Sequence, residues 1–252
     1  MKAVPEFREF NVTKALSFDL PRSVRRIRPS VNSLTGRVAS AKNGVIQDSE
    51  SSLEQDFLTI LEFDPFVLSY AVQPTTIGWL DENGRLRRYT PDVLAKHHPI
   101  PSLNSPAPKS VLYEVKPRAV LRRDWHELRP RYKAAMKWAK KRDLLFHIVT
   151  DTEIRTPYLG NARFLLRYSD SVLAKYGELD AEREHVIRST LFTTGQATPR
   201  SLLTEITKDL SEQGRLLPWL WNAIGRGLVG CDLHQKLAME SPIWTLVPPE
   251  TE

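Results

Sequence analysis

Two apolar runs bracket a cationic, helix-period segment between residues 111 and 150, and this succession restricts the possible folds more than any other feature. Val111-Leu112-Tyr113-Glu114-Val115-Lys116 alternates like a strand, residues 126 to 142 repeat apolar residues at helical spacing, and residues 144 to 150 form an unbroken apolar run. A strand, a helix and a second strand in that order pair in parallel through a right-handed crossover. The unbroken run predicts a central strand covered on both faces. Within the helix, Leu128, Tyr132, Ala135, Met136 and Ala139 are expected to face the core.

Upstream, residues 1 to 50 show weak periodicity and read as an arm, with a cationic cluster of Arg22, Arg25, Arg26 and Arg28. That cluster suits either phosphate contact or a solvated tail. From Ser51 the pattern turns helical, with Leu53, Phe57, Ile60 and Leu61 on one face and an end near Asp64-Pro65. Two β-rich segments come next, joined by Asp81-Glu82-Asn83-Gly84, whose Asn-Gly signals a tight turn. A proline-rich tip from His97 to Lys109 precedes the strand at 111 and reads as a solvent loop, although His97 and His98 also have the chemistry of metal ligands. The expectation is a mixed α/β (α+β) sheet flanked by helices.

Beyond a linker around 167 to 181, three short helical segments and two strand-like runs have the order of a winged helix. The predicted partition is therefore a domain at 1 to 166, including the arm, and a winged-helix-like domain at 167 to 252. Charge divides the same way: residues 1 to 166 hold 27 Lys+Arg against 18 Asp+Glu, and the remainder 9 against 12. Residues 116 to 142 alone carry 11 basic and 2 acidic side chains, which supplies the whole basic excess of the first domain. A polyanion is the partner such a patch suits, whereas the acidic balance of the second domain favours docking to a protein. Trp219, Trp221 and Trp244 would fill its core or anchor a partner. No apolar run is long enough to span a membrane, and the single cysteine, Cys231, cannot form an internal disulfide, so a cytoplasmic location is expected.

On the strand at 111 to 116, side chains two apart share a face, so Glu114 and Lys116 project together. Asp92, after Thr90-Pro91, comes from the preceding strand. Oxygen ligands for a hard divalent cation beside an ammonium group are what phosphodiester hydrolysis requires. Glu54 could reach the same metal from the helix before. Singly, each residue has an ordinary explanation: Ser51 and Glu54 have capping-box spacing, Asp92 suits a turn, and Glu114 with Lys116 suits a surface ion pair. Together, and succeeded by a basic helix, they point to a nuclease site. Gln73, on the neighbouring strand, either supports that site or is a polar edge residue.

Pro91-Asp92 with Glu114-Val115-Lys116 resembles the PD-(D/E)XK restriction-endonuclease-like nucleases. The wider set, Ser51-x-Leu53-Glu54, FDPFVLSYAVQPTTI at 63 to 77, YTPDVL, YEVKP and FHIVTDTEI, is similar to the TnsA family of transposon-encoded endonucleases. The resemblance implies that Glu54, Asp92 and Glu114, with the Val115 carbonyl, ligate Mg²⁺ (or Mn²⁺ in its place), and that Lys116 is the catalytic lysine. Some family members carry Gln at the third acidic position; this chain has Glu114. It further implies cleavage of the 5′ strand at bacterial transposon ends, alongside a TnsB-like transposase and a TnsC-like ATPase regulator. Arg118, Arg122, Arg123, Arg129, Arg131, Lys133, Lys137, Lys140 and Lys141 would then contact the phosphates of double-stranded DNA. A stand-alone repair or restriction nuclease and a non-catalytic DNA-binding scaffold are the alternatives. The sequence has no P-loop, G-x-S-x-G, H-E-x-x-H or paired C-x-x-C motif.

Overall fold

The computed structural model describes residues 36–49, 51–98, 109–173 and 181–246. It divides into two compact units between Ile154 and Arg155. The cationic cluster at 22 to 28 and most of the proline-rich tip lie outside the described residues.

The first unit opens with β1 (Gly36–Ser40) and β2 (Val45–Ser49), an antiparallel hairpin where the sequence predicted an irregular arm. Its turn ends at Gly44, whose φ of 66° is left-handed and suits glycine. Helix α1 (Ser52–Phe63) starts at Ser51, which accepts from the Glu54 N–H. It stops where Lys42 Nζ, reaching from the β1–β2 turn, donates to the carbonyls of Leu61, Asp64 and Val67, a cation placed at the negative end of the helix.

Four strands come next: β3 (Val67–Val72), β4 (Ile77–Leu80), β5 (Leu86–Tyr89) and β6 (Val93–His97). The Asp81–Gly84 turn closes β4 and β5 into their own hairpin, with Asp81 Oδ1 accepting from the N–H groups of Asn83 and Arg85. The main sheet has the order β3-β6-β7-β8, where β7 is Val111–Val115 and β8 is Leu145–Val149. Its first two pairings are antiparallel and β7–β8 is parallel, so the strand–helix–strand step produces the predicted pairing. This is the expected mixed sheet with helices packed on it, of restriction-endonuclease-like type.

The crossover helix α2 spans Arg118–Lys140, eight residues longer at its start than its apolar spacing suggested. Asp124 leaves helical geometry (φ −108°, ψ 16°), and the apolar period begins only beyond this kink. Leu128, Tyr132 and Ala135 join Ile77, Tyr89 and Leu112 in one core cluster. Met136 does not: it is 57% exposed, because the helix turns it past the sheet edge. The predicted central strand is also corrected. Among the described residues β8 pairs only with β7, and Leu145 is 52% exposed. A short helix, α3 (Asp151–Ile154), ends the unit.

The second unit begins with α4 (Pro157–Leu165), a 3₁₀ turn (Leu166–Tyr168) and α5 (Asp170–Leu173). The sequence assigned residues up to 166 to the first domain, but buried side chains tie this stretch to the C-terminal helices and loops. Asn161 donates to the carbonyls of Leu233 and Gln235 and accepts from Leu237 N–H, while Asn222 donates to the Tyr168 carbonyl. Then come α6 (Ala181–Thr194), β9 (Gln196–Ala197), α7 (Pro199–Ile206), α8 (Leu210–Gly225), β10 (Val229–Cys231) and β11 (Ile243–Thr245). Helix α7 is capped by Thr198, with Pro199 at its first position, as its sequence predicts. The three strands form an antiparallel sheet in the order β10-β11-β9. Trp221 is buried edge-on against Phe164, and Trp219 and Trp244 are half-buried. No helix among the described residues is long and apolar enough to cross a membrane.

The Trp244 indole lies directly over Gly230, where a Cβ would overlap three of its ring atoms. Gly230→Ala is expected to destabilise the second unit by about 1–3 kcal/mol, the usual effect of overpacking. Denaturant titration of the full chain measures this, and an unchanged midpoint would refute the packing assigned to Trp244.

Candidate active site

Strands β6 and β7 pair Val93 with Tyr113 and Leu94 with Leu112. Carried one residue further, that register sets Asp92 opposite Glu114. Asp92 N–H donates to the Tyr113 carbonyl at 3.1 Å, and Val115 N–H donates to the Asp92 carboxylate, Oδ2, at 2.7 Å. The aspartate side chain thus takes the place of a ladder carbonyl at the end of the β6–β7 pairing.

Alternation along β7 sorts its side chains. Tyr113 meets Phe57 of α1 with ring centroids 4.9 Å apart, while Leu112 and Glu114 face α2. Glu114 is 2% exposed, and its oxygens are satisfied by three donors. The Tyr89 hydroxyl donates to Oε2 and the Tyr132 hydroxyl to Oε1 at 3.2 Å; Lys116 Nζ stands 3.4 Å from Oε1. Burial, and after it the Glu114 charge, holds both tyrosine hydroxyls well above the usual phenol range, so both remain protonated donors.

Asp92 sits among like charges. Burial raises its pKa well above the ordinary carboxyl value, Glu114 and Glu54 raise it further, and the Val115 N–H and Lys116 oppose them. Glu54 takes the capping role: its carboxylate accepts from Ser51 Oγ at 2.9 Å at the helix start, and its charge also lies within electrostatic reach of Asp92. Gln73 is buried with a left-handed φ of 47°, and its N–H donates to the Asp92 carbonyl at 2.7 Å. Such a conformation is uncommon outside glycine and costs on the order of 1 kcal/mol or more. His97 and His98 stand at the opposite end of β6 from Asp92.

Around Asp92, two carboxylates, Glu114 and Glu54, stand against one ammonium, Lys116, an excess of negative charge that adds to burial in raising its pKa. Hard oxygen donors with that excess fit a small divalent cation. Among the described residues no group of three or more His, Cys, Asp or Glu side chains is arranged around one point to hold a metal ion. Val115, expected to offer its carbonyl, enters the site through its N–H.

Residues 64–151 match the family model of the TnsA-like endonuclease N-terminal domain. The chain carries a TnsA-like endonuclease domain. Asp92, Glu114 and Lys116 fall inside the TnsA-like region and Glu54 ten residues before its start. No curated protein matches the chain.

The cations of α2 are displayed as the sequence suggested, with two exceptions. Arg118, Arg122, Arg129, Lys133, Lys137, Lys140 and Lys141 are exposed. Arg123 is paired with Asp124 at 2.7 Å, and Arg131 is half-buried with its guanidinium 5.7 Å from the Tyr132 ring centre. Tyr89 and Tyr132 are site residues that sequence reasoning missed. Tyr132 was readable only as a core position, and Tyr89 carried no signal beyond its place in a strand.

The Asp92 shift has a signed consequence. A carboxyl whose folded pKa is raised contributes stability at pH below the ordinary value of about 3.9 and loses it as pH rises through the folded value. In divalent-free buffer Asp92→Asn should therefore become progressively more stable than the parent as pH rises from about 4 towards neutrality. Thermal melts across that range test this; parallel curves would show that the Asp92 carboxyl is not raised in the folded state.

Proposed function

We propose that this chain is the DNA endonuclease subunit of a heteromeric cut-and-paste transposase and hydrolyses the 5′ strand at transposon ends. The observation that carries this reading is the joining of Asp92, Glu114 and Lys116 at the end of the β6–β7 pairing, with Glu54 in electrostatic reach, inside a TnsA-like endonuclease domain.

Asp92, Glu114 and Glu54, with the Val115 carbonyl, would hold Mg²⁺, or Mn²⁺ in its place. Held there, the ion would supply a water of lowered pKa and would offset charge on the phosphate. Asp92 is oriented through Oδ2 by the Val115 N–H, which leaves Oδ1 to offer. Glu114 is held by the two tyrosine hydroxyls until a stronger partner competes for its oxygens. Lys116, with Nζ 3.4 Å from Glu114 Oε1, is suited to orienting the attacking water or stabilising charge that develops on the phosphate.

Helix α2 leads directly out of the β7 strand that carries Glu114, so its exposed cations flank the site. Arg129, Lys133, Lys137 and Lys140 recur at helical spacing and form one stripe suited to a run of DNA phosphates. The second unit, with three helices α6 to α8 and a three-stranded sheet, is in this reading a winged-helix module. It would dock a TnsB-like transposase and a TnsC-like ATPase rather than DNA, since it lacks the basic excess of the first unit.

The test is Mg²⁺-dependent cleavage of transposon-end DNA by the reconstituted three-protein assembly. Asp92→Ala and Lys116→Ala should each reduce 5′-strand cutting by at least about a hundredfold, the scale of losing a group that acts on the transition state. Omitting the partners should also suppress cutting. Undiminished cleavage by either variant would reject the assigned site, and vigorous cutting by the isolated chain would reject the partner-dependent role.

A further inference from the structure

Between α2 and the edge strand β8 lies an open groove of about 330 Å³, lined by Trp125, Arg129, Tyr132, Lys133, Met136 and Phe146. Its volume lies at the small end of ligand sites, roughly 300–1,000 Å³. Two observations set it apart from the remaining core. Trp125 and Met136 are 46% and 57% exposed, large apolar groups on a helix that also exposes Arg129, Lys133, Lys137 and Lys140. The rings also form a series: Trp125 and Tyr132 centroids are 6.1 Å apart and Tyr132 and Phe146 6.0 Å, tilted by 42° and 36°.

Exposed aromatic and thioether surface interleaved with Arg129 and Lys133, with no acidic residue in the lining, calls for an occupant that is flat, apolar on its faces and negatively charged nearby. A peptide side chain meets only the apolar half of that description. We infer that the groove binds an unpaired nucleobase of the DNA, stacked against Trp125, with its flanking phosphates on Arg129 and Lys133. The inference rests on the proposed action on DNA and adds to it a site that distinguishes unpaired from paired strands.

The groove is joined to the catalytic carboxylates by one side chain. The Tyr132 ring forms part of its wall, and the Tyr132 hydroxyl donates to Glu114 Oε1 at 3.2 Å. A base seated in the groove therefore touches the residue that restrains Glu114, which places strand opening next to the scissile bond.

The experiment uses the full chain and two DNA duplexes, one fully paired and one with a short single-stranded overhang, each carrying the fluorescent base 2-aminopurine. Wild-type protein should bind both and quench the overhang probe, while leaving unchanged the fluorescence of the paired probe, which stacking in the duplex already keeps low. Trp125→Ala should weaken binding of the overhang duplex on the order of tenfold and abolish the quenching, with paired-duplex affinity held within about twofold. Trp125→Phe, which keeps a ring to stack on, should restore most of both.

Binding of both duplexes by wild type without quenching overturns the groove assignment alone, and is the result expected of a groove built for a partner's apolar side chains. Equal weakening of both duplexes by Trp125→Ala overturns it as well. If wild type binds neither duplex, the DNA reading fails and the groove assignment fails with it.

Discussion

The hydrogen bond from Val115 N–H to Asp92 Oδ2 is the contact about which the first unit is arranged. It lies where the β6–β7 ladder runs out, and a side-chain oxygen there does the work of a missing backbone carbonyl. A buried N–H left without an acceptor costs on the order of 1–3 kcal/mol, so the position demands an acceptor. Aspartate meets the demand at the expense of bringing a carboxylate opposite Glu114. The Gln73 N–H fixes the same residue through its carbonyl, which helps explain a left-handed backbone at a non-glycine position. Strand pairing and site assembly are thus one event: the register that buries Leu112 and Val93 also sets the two acids opposite each other.

That juxtaposition is electrostatically unfavourable and is only partly offset. Glu114 is stabilised by two hydroxyl donors and Lys116, whereas among the described residues Asp92 has the Val115 N–H and a share of Lys116 against two neighbouring acids. Buried ionised groups persist when paired and hydrogen-bonded, and Glu114 satisfies that rule more fully than Asp92. The asymmetry is informative. In the proposed reading, Asp92, the less compensated of the two, is the carboxyl that a bound cation would stabilise most.

The acids and the lysine were legible in the sequence because a strand has a period of two and few turn types: once β7 was recognised, the shared face of Glu114 and Lys116 was a direct consequence. The hairpin through Asp81 to Gly84 and the caps at Ser51 and Thr198 were legible for the same local reason. What failed depended on tertiary placement. An apolar run such as Leu144 to Val149 looks alike in a central or an edge strand, and only the absence of a further neighbour among the described residues exposes Leu145. Met136 has the spacing of a core residue but lies beyond the sheet that would cover it. The first turns of α2 were missed because Arg118 to Arg123 carry few apolar residues, so no period marks them. The hydroxyl targets of Tyr89 and Tyr132 depend on how α2 is rotated over the sheet, which no local pattern encodes.

The kink in α2 accounts for how one helix can serve both strand and site. A straight helix leaving β7 at Pro117 would continue in the direction set by its first turn, which Asp151 anchors by accepting from Arg118 N–H. Departure from helical geometry at Asp124 frees the remainder to pack by its own apolar face, and Leu128, Tyr132 and Ala135 then reach the core shared with Leu112. Pro130, six residues on, removes another backbone donor and further loosens the helix near that point. The consequence is directional. Packing of the second segment aims Tyr132 inward at Glu114, and at helical spacing this leaves Arg129, Lys133 and Met136 on the adjoining outer face. The groove and the cationic stripe are therefore consequences of the same rotation that completes the buried end of the active site.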